Sequence, residues 1–178
     1  MPESALSTAQ TPPPHSPLYR WLEPVCNGFA LGGGMLLLAL IGMSLVSITG
    51  RKLLAAPIRG DMELVEMGAA IAISAFLPLC ELRGLHLKAD AFTLWASARL
   101  KRKLDIGAHA LLLLAAAILT WRTALQALSY REYGDVSPLL SVPMWWPLMC
   151  IVPSLALLVL CALARVLDLA SRSRMGMA

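Results

Sequence analysis

The sequence predicts an all-α integral membrane fold, with four transmembrane helices and an amphipathic interfacial helix between the second and third. Three observations predict it. The chain of 178 residues is 58% apolar and 15% charged, against about 45–50% and about 25% in globular domains. Its mean hydropathy is +0.68. Its apolar residues gather into four runs, and Lys and Arg fall mostly between those runs. The net charge of +4 is therefore laid out as membrane topology rather than as a phosphate-binding face, and no nucleic-acid partner is expected.

Residues 1–17, MPESALSTAQTPPPHSP, are polar and proline-rich, the composition of a disordered tail. They lack the basic start and short apolar core of a secretory signal. The membrane domain is expected over 18–169. It opens on Tyr19, Arg20 and Trp21, an aromatic and basic group suited to a membrane interface. The first span is expected over 27–49, 23 residues without a charge. At ~1.5 Å per residue such a helix crosses a hydrocarbon core of about 30 Å. Within it Gly28 and Gly32 stand four apart, a spacing that lets helix backbones approach closely, against a partner or within the bundle.

The second span is expected over 63–81. A turn at Pro57 and Gly60 precedes it, and Asp61 stands where an N-cap belongs. Glu63 and Glu66 suit the positive end of the helix dipole. Pro78 should kink the last turn or mark the exit, while Glu81 extends the span to headgroup level. The interfacial helix is expected over 87–103. Leu87, Ala91, Leu94, Trp95 and Ala98 share one face, Asp90, Thr93 and Ser97 another, and Arg99, Lys101, Arg102 and Lys103 follow. Apolar stripe plus basic end fits a helix lying against lipid.

The third span is expected over 106–128 and the fourth over 144–167. Between them lie turn signals at Gly134-Asp135 and Ser137-Pro138. Pro147 falls in the fourth helix's first turn, where a missing N–H costs little, and Pro153 deeper, where it should bend the helix. Residues 170–178 form a short basic tail.

Orientation follows from the basic residues. Ten Lys and Arg fall on the side of the termini and the middle loop, and four on the other (Arg51, Lys52, Arg59 and Arg131). The positive-inside rule places both termini in the cytoplasm. Trp21 and Trp95 then fall at the inner interface, and Trp121, Trp145 and Trp146 near the outer one.

Two polar residues inside spans invite a functional reading, Glu66 and Arg122. They fall at similar depth, so either they pair or each reaches the outer interface alone. Ion-coupled transport by this chain alone would want mid-membrane acids and broken helices, which it lacks. A four-helix haem protein needs axial His pairs within spans, and only His109 lies in one. Cys26, Cys80, Cys150 and Cys161 show no metal or redox spacing and are expected as small apolar fillers. No cofactor, metal or catalytic residue is expected. From the residues alone, the reading is a four-span, non-catalytic membrane subunit; the alternative is a standalone four-helix redox carrier or small exporter.

The segment from Gly50-Arg51 through Pro57-Ile58, Gly60-Asp61 and Glu63-Leu64-Val65-Glu66 to Gly84, His86 and Asp90 resembles the small membrane subunit (DctQ type) of tripartite ATP-independent periplasmic, or TRAP, transporters. Ser137-Pro138-Leu139 and Val142-Pro143-Met144-Trp145, with Pro153 beyond, are similar to that family's approach to its last helix. The resemblance covers about 18–169. The family's typical tryptophan before the acidic pair is absent, with Met62 nearby. The resemblance implies an inner-membrane, non-enzymatic subunit in sodium-driven uptake of organic acids. Its implied partners are a large multi-span permease subunit, a periplasmic solute-binding protein and membrane lipid. Candidate subunit or binding-protein contacts are Arg51, Asp61, Glu63, Glu66, His86, Asp90, Trp95, Arg122 and Trp145.

Overall fold

Each apolar run forms a helix, because a backbone without water around it must satisfy its own hydrogen bonds. The computed structural model describes residues 17–53, 60–83 and 98–175. Helix α1 is Pro17–Leu53, α2 Asp61–Arg83, α3 Ala98–Tyr133 and α4 Trp145–Met175. All four are long and apolar enough to cross a membrane. Among the described residues there is no strand; one antiparallel bridge pairs Val136 with Pro143 in the α3–α4 loop. The expectation of an all-helical chain with four spanning helices holds, and the helices run past the expected spans, α1 to Leu53 and α4 to Met175.

The interfacial helix expected over 87–103 falls outside the described residues as far as 97, and 98–103 opens α3 instead, continuous with the third span. His86, Asp90 and Trp95 also lie outside the described residues.

Helix α2 packs on α1 and on α4, and α4 packs on α3. The centre is therefore the α2–α4 pair, with α1 and α3 on its flanks. Burial follows this order, as α4 buries the largest share of its apolar length and α1 and α3 the smallest. Two glycines set the α1–α2 approach. A Cβ on Gly33 would stand 2.9 Å from Ala75 Cβ and 3.0 Å from the Ala72 carbonyl oxygen, and Gly68 receives the side chain of Leu40. The α1–α4 contact is made by Cys26, Leu157, Cys161 and Ala164 with Leu82 of α2, and the α3–α4 contact by Ala116, Leu155 and Leu158.

Pro78 lies inside α2, which continues to Arg83, so it neither marks the exit nor ends the helix. A helical proline has no N–H to offer the carbonyl four residues earlier, here that of Ser74. Ser154 of α4 supplies the missing donor, its hydroxyl bonding the Ser74 carbonyl. Both serines are buried. A side-chain hydroxyl from a neighbour is one of the few ways to satisfy a freed carbonyl in an apolar surround. The α2–α4 register is thus pinned where α2 is otherwise weakest.

Candidate functional site at the start of the second helix

Gly60 opens the site. Its carbonyl accepts the first helical bond, from the Leu64 N–H at 3.1 Å. Gly60, not Asp61, is therefore the N-cap, and Asp61 is the first helical residue. Two constraints select glycine here. Its φ is +74°, which residues with a Cβ adopt only under strain. A Cβ would also lie 2.4 Å from Leu140 Cγ, so the α3–α4 loop rests directly on this backbone.

Freed from capping, Asp61 ties α2 to the end of α1. Its Oδ2 accepts from Ser47 Oγ at 2.5 Å and from Arg51 Nη2 at 3.3 Å, while Oδ1 accepts from the Met62 N–H at 2.9 Å. Ser47 is buried and Arg51 exposed, so the hydroxyl is the better-shielded half of this contact and the ion pair is open to solvent screening.

Glu63 reaches the other way. Its Oε2 accepts from Ser137 Oγ at 2.8 Å and from the Leu140 N–H at 3.1 Å, and its Oε1 accepts from the Leu139 N–H at 2.9 Å. Ser137 Oγ in turn accepts from the Val142 N–H at 3.3 Å. One carboxylate therefore satisfies three donors of a loop that begins more than seventy residues later. The loop has local supports too. Gly134, at φ +68°, closes α3 with the Asp135 N–H on the Tyr130 carbonyl at 3.2 Å, a Schellman ending. Ser137 N–H to Val142 carbonyl (2.9 Å) and Met144 N–H to Asp135 carbonyl (3.0 Å) close its neck. Beside the neck, Arg131 lies over the Trp145 ring at 5.7 Å, and Trp145 meets Trp146 edge-on at 5.9 Å. Leu139, Val136 and Trp146 point outward from this rim.

At the opposite end of α2 a second polar group ties the bundle. Glu81 is fully buried, and its Oε1 lies 2.9 Å from His109 Nδ1 of α3. Its side chain is thus not at a headgroup surface, because His109 gives the carboxyl group a partner inside the bundle. Arg83 Nη2 donates to Asn27 Oδ1 of α1 at 3.1 Å, and Arg165 Nη1 of α4 points at the Leu82 carbonyl at 3.5 Å. The described residues hold no group of three His, Cys, Asp or Glu side chains able to bind a metal ion.

The match that decides the family spans 40–172, and the family is Tripartite ATP-independent periplasmic transporters, DctQ component. The chain belongs to the DctQ family. This is the small permease component of TRAP transporters, a transporter component and not an enzyme family. Neither a curated protein nor a solved structure matches the chain significantly.

Within this DctQ chain the residues singled out by sequence divide sharply. Arg51, Asp61 and Glu63 come together at the α2 start. Trp145 lies at the neighbouring loop neck. Glu66 and Arg122 are both exposed, and among the described residues no hydrogen bond or ion pair joins them; α2 has its main contacts with α1 and α4, while α3 packs on α4. Gly28 and Gly32 face open space, with no atom from another helix within 4 Å of an added Cβ. The close approach inside the bundle uses Gly33, one residue on. Sequence reads Glu81 only as a headgroup-level residue and Ser137 only as a turn signal, and it does not single out Ser47, Leu140 or Ser154. Their roles depend on contacts across helices, and no local spacing announces them.

Proposed function

We propose that this DctQ chain is the small permease subunit of a sodium-driven, binding-protein-dependent transporter for organic acids. It scaffolds the large multi-span subunit and helps to dock the periplasmic solute-binding protein. It sits in the inner membrane with both termini cytoplasmic, so the α2 start and the α3–α4 loop face the periplasm. The observation that carries the docking role is the Glu63 carboxylate on Ser137, Leu139 and Leu140. It fixes the loop before any partner arrives, and a preordered rim lowers the cost of binding. The outward Val136, Leu139 and Trp146 offer apolar contacts on that fixed rim. The scaffolding role is supported by the helix crosslinks at both ends of α2 and by the broad apolar surface left open on α1 and α3, including the Gly28 and Gly32 face.

The test is uptake by proteoliposomes carrying both membrane subunits, given the binding protein and an imposed sodium gradient. Substituting Leu139 and Trp146 by serine should lower uptake at limiting binding protein and recover much of it at saturating binding protein. Uptake unchanged at every concentration would remove this rim from the docking surface.

A further inference from the structure

Cys26 of α1 and Cys161 of α4 bring their sulfur atoms to 3.5 Å, across a sequence separation of 135. Both are fully buried within the cluster that includes Leu82, Leu157 and Ala164, with Leu22, Phe29 and Leu79 packed around it. The other cysteines differ, since Cys80 is half-buried and Cys150 exposed. α1 and α4 share far less contact than their neighbours do, and this pair stands at the place where they meet. Beside it an apolar groove opens among α1, α2 and α4, lined by Gly28, Gly32, Ile71, Ala75, Cys150 and Ser154.

We infer that Cys26 and Cys161 form a latent disulfide site that a lipid-soluble hydroperoxide closes, tying α1 to α4. Bonded sulfurs lie about 2.05 Å apart, so closure needs an approach of about 1.5 Å, the scale of side-chain rotation. The apolar shell selects the oxidant, because charged reagents do not enter it while an organic hydroperoxide dissolved in lipid does. The chemistry balances in two steps. One sulfur attacks the peroxide, an S–O bond forms as the O–O bond breaks, and the alkoxide leaves as alcohol with the thiol proton. The second sulfur then attacks the first, the S–S bond forms as the S–O bond breaks, and hydroxide leaves as water with the second proton. Two thiols lose two electrons and the peroxide gains them. The second step needs no diffusion, since its partner is already in contact. Closure fixes the flanking helix α1 to α4 at the centre of the bundle.

The experiment uses the full chain in membranes with Cys80→Ser and Cys150→Ser, leaving only the pair. After cumene hydroperoxide treatment the protein is denatured, alkylated and digested for mass spectrometry. Both thiols should be lost together, and a peptide pair joined through Cys26 and Cys161 should appear and separate on reduction. Adding Cys161→Ala should abolish that linked pair and leave Cys26 without an intramolecular partner. Full alkylation of both cysteines after treatment, or separate oxidation of each to sulfinic acid without a link, would overturn the inference.

Discussion

Glu63 Oε2 accepts the Ser137 hydroxyl at 2.8 Å, and through it the start of α2 holds the loop that leads into α4. The carboxylate stands at the N3 position, counted from the Gly60 cap. An acid there commonly reaches back to its own helix start. Here it spends its acceptors on the Leu139 and Leu140 N–H groups as well, so a residue suited to a helix dipole serves as the anchor of a distant loop.

Glu63→Ala should loosen this loop while leaving the four helices in place. Limited proteolysis of the protein in mild detergent should cut between Gly134 and Met144 in the variant faster than in the parent. Glu63→Gln should fall between the two, since an amide keeps one acceptor and loses the charge that strengthens all three bonds. Equal cutting rates in all three proteins would mean that Ser137 and the neck hydrogen bonds hold the loop unaided.

The helices were legible because hydrophobic length and charge placement are local properties, and the Gly134 turn because a helix stop has its own chemistry. Asp61 stands one residue past the position its sequence suggests. An Asp before an acidic turn looks like an N-cap, yet the positive φ of Gly60 and the Leu140 side chain pressed on it decide the register. Glu81 reads from sequence as a headgroup-level residue because charged residues at span ends usually reach water. Only the packing of α3 reveals that His109 meets it inside. Gly28 and Gly32 have the helix-pairing spacing, but three glycines in a row leave the contacting face undetermined, and the bundle uses Gly33.

Ser154→Ala removes the donor to the Ser74 carbonyl that Pro78 leaves without its helical partner. A single interhelical hydrogen bond in a membrane is worth about 0.6–2 kcal/mol. Thermal unfolding in mild detergent should show a loss of that size. On a Pro78→Ala background, where α2 recovers its own N–H donor, the Ser154→Ala loss should shrink toward zero. A loss unchanged by Pro78→Ala would separate the serine from the proline.

Gly33→Val should cost about 1–3 kcal/mol through overpacking, because the added carbon meets the Ala75 side chain and the Ala72 backbone oxygen. A Cβ added at Gly32 has no such neighbour within 4 Å, so Gly32→Ala should leave the isolated subunit's stability largely unchanged. If the Gly28 and Gly32 face seats a helix of the large subunit, the same Gly32→Ala should weaken assembly. Measuring both variants for unfolding and for complex recovery separates internal from external packing.

His109→Ala deprives the buried Glu81 of one partner and should destabilise the chain by about 1–3 kcal/mol. Glu81→Ala should also destabilise it, and the double variant should lose less than the two single losses added together, as groups in direct contact do. Additive losses in the unfolding cycle would show that the 2.9 Å contact carries no energy of its own.

The central claim is that this chain works as the small subunit of a TRAP permease, and its most direct test is assembly coupled to uptake. The chain, affinity-tagged, is expressed with its large multi-span partner, purified in mild detergent, and reconstituted with the binding protein under a sodium gradient. The account predicts a stable complex of the two membrane subunits and sodium-dependent uptake that disappears when this chain is omitted. Recovery of this chain alone, with full uptake by the large subunit and binding protein without it, would contradict the account.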